Sequence, residues 1–302
     1  MQPLLLPGTR VLRRDAQHLQ VGLHPAASVV LPDSPVLRRL ESGEALRGDD
    51  GLPPRLAPVL LPDDAALRSA LPPAGESSYA DARTWSRHTI ASLARERRAD
   101  PDTLGRRASF VLVVQSAPRH RRDRTGGLAQ ALADDLRVLC RRSGLRVAES
   151  MPGGPRAQRP PLVRALVCVG EPDRRLLDAF EEPHLLVRFV EGAGVVGPFV
   201  EPGATACVRC TDGHLAQRDP AWPLLLEQYS RLGDADRADG VPEPVDAALA
   251  SVCLAWATRD LAAYAEGGTP VSRGRSLRIR PDLVEIETQG WPRRPECGCA
   301  PV

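Results

Sequence analysis

At 302 residues the chain is long enough for two ordinary domains, each able to bury a core of its own. Its 40 basic residues stand against 38 acidic ones for a formal net charge of +2, and every basic residue is arginine. The absence of lysine excludes lysine Schiff-base and general-base chemistry, and the close interleaving of acid and base argues against a nucleic-acid surface.

The chain opens MQPLLLPGTRVLRRD, whose apolar stretch is too short for a signal peptide and lacks a small-residue cleavage site. No later run has the length to span a membrane. The expected location is therefore the cytoplasm, where cysteines serve as metal ligands or buried apolar residues rather than as disulfide partners. Two β-like stretches follow, Gln17 to Leu23 and Ala27 to Leu31, joined by the turn HPAA. SPVLRRLESGEAL reads as a helix with Ser34 as N-cap and Pro35 at its first position, where proline is tolerated. Asp63 to Leu71 reads as a second helix. Strands with two short helices in this span match a winged helix-turn-helix, taken as residues 1–80. Residues 81–107 read as a linker with a docking helix around Trp85 to Arg97.

From residue 108 to 302 the pattern changes to alternating buried strands and helices. SFVLVVQ (Ser109 to Gln115) is a continuous apolar run, and the helical stretch after it ends at Gly144, a C-terminal glycine. LRVAES and RALVCVGEPD read as strands, RRLLDAFEE as a helix, and HLLVRFVEGAGVVGPFVEP as two strands about a turn. A long helix over Pro244 to Gly268 precedes the hairpin SLRIRPDLVEIET. This succession predicts an α/β domain with a mostly parallel sheet wrapped by helices.

The seven cysteines sort into two kinds. Cys140, Cys168 and Cys253 lie inside apolar runs and read as core. Cys207 and Cys210 follow a Pro-Gly turn, and the end of the chain, RRPECGCAP, carries Cys297 and Cys299. Two short cysteine pairs in turn-like sequence, far apart in the chain, are what four-coordinate structural zinc requires. Four exposed unpaired thiols, the alternative, would be a liability. With four thiolates in place His214 reads as a packing residue. Trp222 and Trp256 read as core, and Trp291 as packing over the knuckle.

The stretch GVVGPFVEPGATACVRCTDGHLAQRDPAWPLLLEQ, the later helix and GWPRRPECGCAP resemble the ThiF-like proteins that partner YcaO cyclodehydratases in the biosynthesis of azoline-containing peptides and thiopeptides. The resemblance covers about two thirds of the chain. It implies the doubly wound fold of ubiquitin-activating and molybdopterin-synthase adenylating enzymes, with a zinc knuckle, and it leaves homodimerisation open. An active adenylating relative holds triphosphate in a glycine-rich turn after its first strand. Here that strand runs into SAPRHRRDRTGG, with Pro118, a run of arginines, and Gly126 and Gly127 too late for the turn. There is no lysine for the nucleotide, and Glu149, where dinucleotide folds place a ribose-binding acid, reads as inherited scaffold. ATP is not expected in this chain.

RVLRRDAQHLQVGL resembles the opening of the leader-peptide recognition element fused to such partners. The resemblance implies that a precursor's leader adds as a strand, with Ser28, Val29, Val30 and Leu31 receiving it and Leu67 and Leu71 lining a groove. The expected function is a non-catalytic scaffold that presents a precursor peptide to a YcaO-type enzyme. The alternatives are an adenylating enzyme with an atypical nucleotide loop, and a zinc-containing DNA-binding winged-helix regulator. The latter is disfavoured by Asp33, Glu41, Glu44, Asp49 and Asp50 among the basic residues.

Overall fold

Apolar alternation in the first third of the chain produces a small antiparallel sheet in the computed structural model, which describes residues 4–6, 9–23, 28–41, 51–61, 82–96, 100–117, 126–153, 160–231 and 243–299. The chain divides into two units, Met1–Gly105 and Arg106–Val302. In the first, β1 (Leu4–Leu5) pairs with β5 (Leu60–Leu61), while β2 (Val11–Arg13), β3 (His18–Val21) and β4 (Val29–Pro32) form a three-stranded sheet in that order. One face of the sheet supplies Leu19, Val21 and Leu31 to a core closed by Leu37 and Leu40 of α1 (Pro35–Glu41) and by Leu56 and Val59 of a short 3-10 helix. Ser34 caps α1 as expected, accepting from the Leu37 N–H at 3.4 Å. The second helix expected over Asp63 to Leu71 lies outside the described residues, so the winged-helix arrangement remains a reading of the sequence. A helix stands where one was expected around Trp85 to Arg97, as α2 (Ala82–Arg95), and is followed by α3 (Pro101–Ser109).

The second unit is a mixed α/β fold around a seven-stranded sheet. Its strands are β6 (Val111–Ala117), β7 (Val147–Ala148), β8 (Leu162–Val169), β9 (His184–Val190), β10 (Ala193–Val200), β11 (Arg275–Ile279) and β12 (Ile286–Gly290), in the order β12-β11-β10-β9-β8-β6-β7. Pairing is parallel from β7 to β9 and antiparallel from β9 to β12. The expected mostly parallel sheet is thus antiparallel over half its width, because β9–β10 and β11–β12 are hairpins, which can pair their strands only antiparallel.

Helices α4 (Gly126–Arg142) and α8 (Ala247–Ala265) cover one sheet face and bury the largest core, in which Cys140 and Cys253 are fully enclosed. Gly144 ends α4 with φ +76°, a left-handed value that other residues rarely take. Asp246 caps α8 by accepting from the Leu249 N–H at 2.8 Å. On the opposite face α5 (Arg174–Asp178) and α6 (Val208–Arg218) close a second core containing Leu166, Cys168, Leu186 and Val208. The three core cysteines are buried as expected, and burial pushes the Cys140 and Cys253 thiols up to about 12. Helix α7 (Trp222–Arg231) follows α6.

Candidate metal centre

The second unit brings both cysteine pairs to one place. A turn after β10, in which the Glu201 carbonyl accepts from the Ala204 and Thr205 N–H groups at 2.9 and 3.0 Å, delivers the chain to α6. Cys207 is the N-cap of α6, extended at φ −86°, ψ 175°. Cys210 lies one helical turn on, so the two sulfurs share a face. The expected pair of turn knuckles is therefore corrected on this side, where a helix start does the work of a turn. The terminal pair keeps the knuckle form: a 3-10 turn over Pro295–Cys297, then Gly298 at φ +67°, then Cys299.

The sulfurs stand 3.5 Å apart between Cys207 and Cys297, 3.5 Å between Cys210 and Cys299, and 3.9 Å between Cys207 and Cys210. All four ligand atoms lie within 4.8 Å of one another. Four thiolates about 2.3 Å from a tetrahedral cation would lie about 3.8 Å apart, so the donor set and its size fit a closed four-sulfur metal site. Cys210 is fully buried and receives the Arg294 N–H on its sulfur at 3.4 Å. Gly213 makes room for this strand, since a Cβ there would stand 2.3 Å from Arg294 Nη1. Burial pushes the Cys207 thiol up, and the Cys297 thiol up to about 11. Burial also opposes ionisation of Cys299, but hydrogen bonds from Cys210, Cys207 and Cys297 hold it below its ordinary value. A divalent cation would overcome the burial that opposes ionisation at Cys207 and Cys297, because it deprotonates its ligands outright. Four sulfur ligands on a tetrahedral cation would leave no open position for substrate.

Trp291 is 9% exposed and packs on Ala206 and Cys210, as expected, with its Nε1 donating to Ser276 Oγ at 2.9 Å. His214 stacks on Trp291 and bonds the Pro292 carbonyl through Nε2 at 2.9 Å, a packing role. Trp256 packs against the main core, whereas Trp222 is only half-buried. It lines instead a cavity of about 680 Å³ between α6, α7 and the face of the antiparallel strands.

Beneath that cavity is a charge network the sequence reading missed. Glu171, just past β8, accepts from Arg188 Nη1 at 2.7 and 2.9 Å and from Arg174 Nη1 at 2.8 Å. Arg174 also grips Asp212 of α6 at 2.8 and 3.1 Å, and Asp212 accepts from Trp222 Nε1 at 3.3 Å. Burial raises the pKa of Glu171, but the two guanidiniums outweigh it and hold the carboxyl at about 2. The available signal was one arginine inside the otherwise apolar HLLVRFV, matched by GEPDRR after the neighbouring strand.

Of the residues assigned to peptide binding, Val29, Val30 and Leu31 fall on β4 and Ser28 immediately precedes it. Leu31 is core, Val29 is half-buried and Val30 is 38% exposed. Leu67 and Leu71 lie outside the described residues, as do residues 118–125, where the nucleotide turn would fall. Glu149 is exposed and paired with Arg141.

No protein-family model and no curated protein matches the sequence. Among solved structures, a heterocyclase in complex with substrate and cofactor aligns with 99% of this chain at 15% identity and a TM-score of 0.56, and the heterocyclase TruD with 99% at 16% and 0.56. The chain spans only 39% and 43% of those two proteins. MccB of E. coli aligns with 100% of this chain and 97% of its own length at 12% identity and a TM-score of 0.52. At these identities the likeness shows the fold, a mixed α/β arrangement around a large mixed sheet.

Proposed function

We propose that this chain is a non-catalytic partner that binds the leader of a ribosomally synthesised precursor peptide and presents the core to a YcaO-type cyclodehydratase for azoline formation. The observation that carries the reading is the open edge of β4. That strand pairs with β3 on one side, and no strand pairs with its other side among the described residues. The Asp33 N–H bonds the Gln17 carbonyl at 2.8 Å, which fixes the alternation. Leu31 and Val29 bond inward to β3, so Val30 presents both its N–H and its C=O to the open edge. Pro32, lacking an N–H, sits at an outward position where none is needed for β3. A leader would add here main chain to main chain, with Ser28 to Leu31 as the receiving segment and Leu67 and Leu71 lining its groove.

Tethering the leader makes encounter of the core peptide with the partner's active site effectively intramolecular. The fold likeness to two heterocyclases fits a component of such a machine. The four cysteines would hold a structural zinc ion that fastens the C-terminal segment to α6, and ATP-dependent chemistry would belong to the partner. Residues 1–80 would be the leader-binding winged helix, 81–107 the connection and 108–302 the ThiF-like scaffold.

Val30→Pro tests the reading, since it removes one outward N–H and leaves the β3 ladder intact. In fluorescence anisotropy with a labelled candidate leader peptide, the full-length variant is expected to bind about 3- to 10-fold more weakly than wild type, with an unchanged melting curve. Equal binding, or no binding by the wild type, would sink the leader assignment. A second reading, an adenylating enzyme, is favoured by the end-to-end match to MccB, described as a microcin C7 biosynthetic enzyme. ATP–pyrophosphate exchange by the purified chain decides between them: the scaffold reading expects none above background.

A further inference from the structure

The cavity under α7 has its floor on four antiparallel strands. Arg188 of β9 faces Val195 of β10, Val195 faces Arg278 of β11, and Arg278 faces Glu287 of β12. Two arginines thus flank one valine on the same sheet face, their Cα atoms about 10 Å apart across two strand spacings. The roof is apolar and aromatic, formed by Trp222, Leu225, Leu226 and Tyr229. A volume of about 680 Å³ is in the range of small-ligand sites.

The floor holds more donors than the protein uses. Arg188 is 8% exposed and spends only Nη1, on Glu171. Its Nε is buried without a hydrogen-bond partner. A guanidinium has five donors and no acceptor, and leaving buried ones unmet is costly. Arg278 lines the same cavity, half-buried, and its side chain makes no hydrogen bond or ion pair among the described residues, even with Glu287 opposite it. The carboxylates nearby do not cancel this. Glu171 and Asp212 are already held by Arg188 and Arg174, while Glu191 and Glu287 are exposed at the rim. Those rim acids oppose a polyphosphate but tolerate a single negative charge seated between the arginines.

We propose that this cavity binds a carboxylate carried on an apolar body the size of two or three residues, the carboxylate over Val195 between Arg188 and Arg278 and the apolar part under α7. The inference goes beyond the partner reading and does not rest on it, because β4 belongs to the other unit. The carboxylate has two possible sources in a peptide, its C-terminus or an acidic side chain.

Three probes distinguish them by isothermal titration of the full chain: N-acetyl-leucyl-phenylalanine with a free C-terminus, N-acetyl-glutamyl-leucyl-phenylalaninamide, and its glutaminyl counterpart. Binding of the first or the second, with the third silent, is the expected result and names the source. Arg278→Gln, which breaks no internal bond, is expected to weaken that binding about tenfold. Leu225→Asp, at a 47% exposed roof position, is expected to abolish it. Silence of both carboxylate probes at about 1 mM, where affinity would be negligible, equal binding of all three, or unchanged affinity in both variants overturns the proposal.

Discussion

Cys210→Ser is expected to strip the metal from the protein and to destabilise the Arg106–Val302 unit by about 4–5 kcal/mol or more. The reasoning starts from position. Cys210 is the buried member of the four, one helical turn from Cys207 and 3.5 Å from Cys299 across 89 residues of chain. A serine there offers a harder, shorter ligand where a soft thiolate fits. In small zinc domains the metal's binding energy is about 10–16 kcal/mol and counts directly toward folding. Loss of part of it frees the terminal segment that carries Trp291, whose ring seals Ala206 and Cys210. Elemental analysis of wild type should find about one zinc per chain, and chelation should lower its melting temperature to that of the variant. A wild type that purifies metal-free and melts unchanged with chelator would remove the zinc assignment.

Strands β6, β8 and β9 were legible because each carries an unbroken apolar run, as in SFVLVVQ, ALVCV and HLLV, and burial on both faces demands that composition. The four-cysteine cluster was legible because cysteine spacing is chemistry that survives without a contact map. Helices α6 and α7 were not. VRCTDGHLAQR is polar, has a glycine in its middle and shows little amphipathic contrast, so its helix follows from tertiary anchoring of Cys207 and Cys210 rather than from pattern. WPLLLEQYSR did carry a signal, a proline in the first turn, but its apolar side chains went to a cavity roof instead of a core. The two arginines of the cavity floor were invisible for another reason. Arg188 and Arg278 are 90 residues apart in sequence numbering and meet only through the register of β9, β10 and β11, which composition does not specify.

Register also decides the second large effect. Glu171→Gln is expected to cost about 3–5 kcal/mol in urea denaturation at neutral pH. The side chain is 8% exposed, and among the described residues it is the sole acceptor of the Arg188 guanidinium and one of two carboxylates gripping Arg174. Glutamine keeps the shape but turns an amide NH2 toward a guanidinium, donor against donor, and leaves Arg188 charged and buried. The pH dependence has a definite sign. The folded carboxyl is held at about 2 against an ordinary 4.5, so its stabilisation is complete above 4.5 and is lost as pH falls toward 2. Wild-type stability should therefore decline through that window, and the variant should lack this part of the slope. Parallel curves, or a variant within about 0.5 kcal/mol of wild type, would show that the network is solvent-screened and that Glu171 does not set the position of Arg188. A loss confined to acid and absent from the variant would instead make Glu171 the group that aims Arg188 at the cavity.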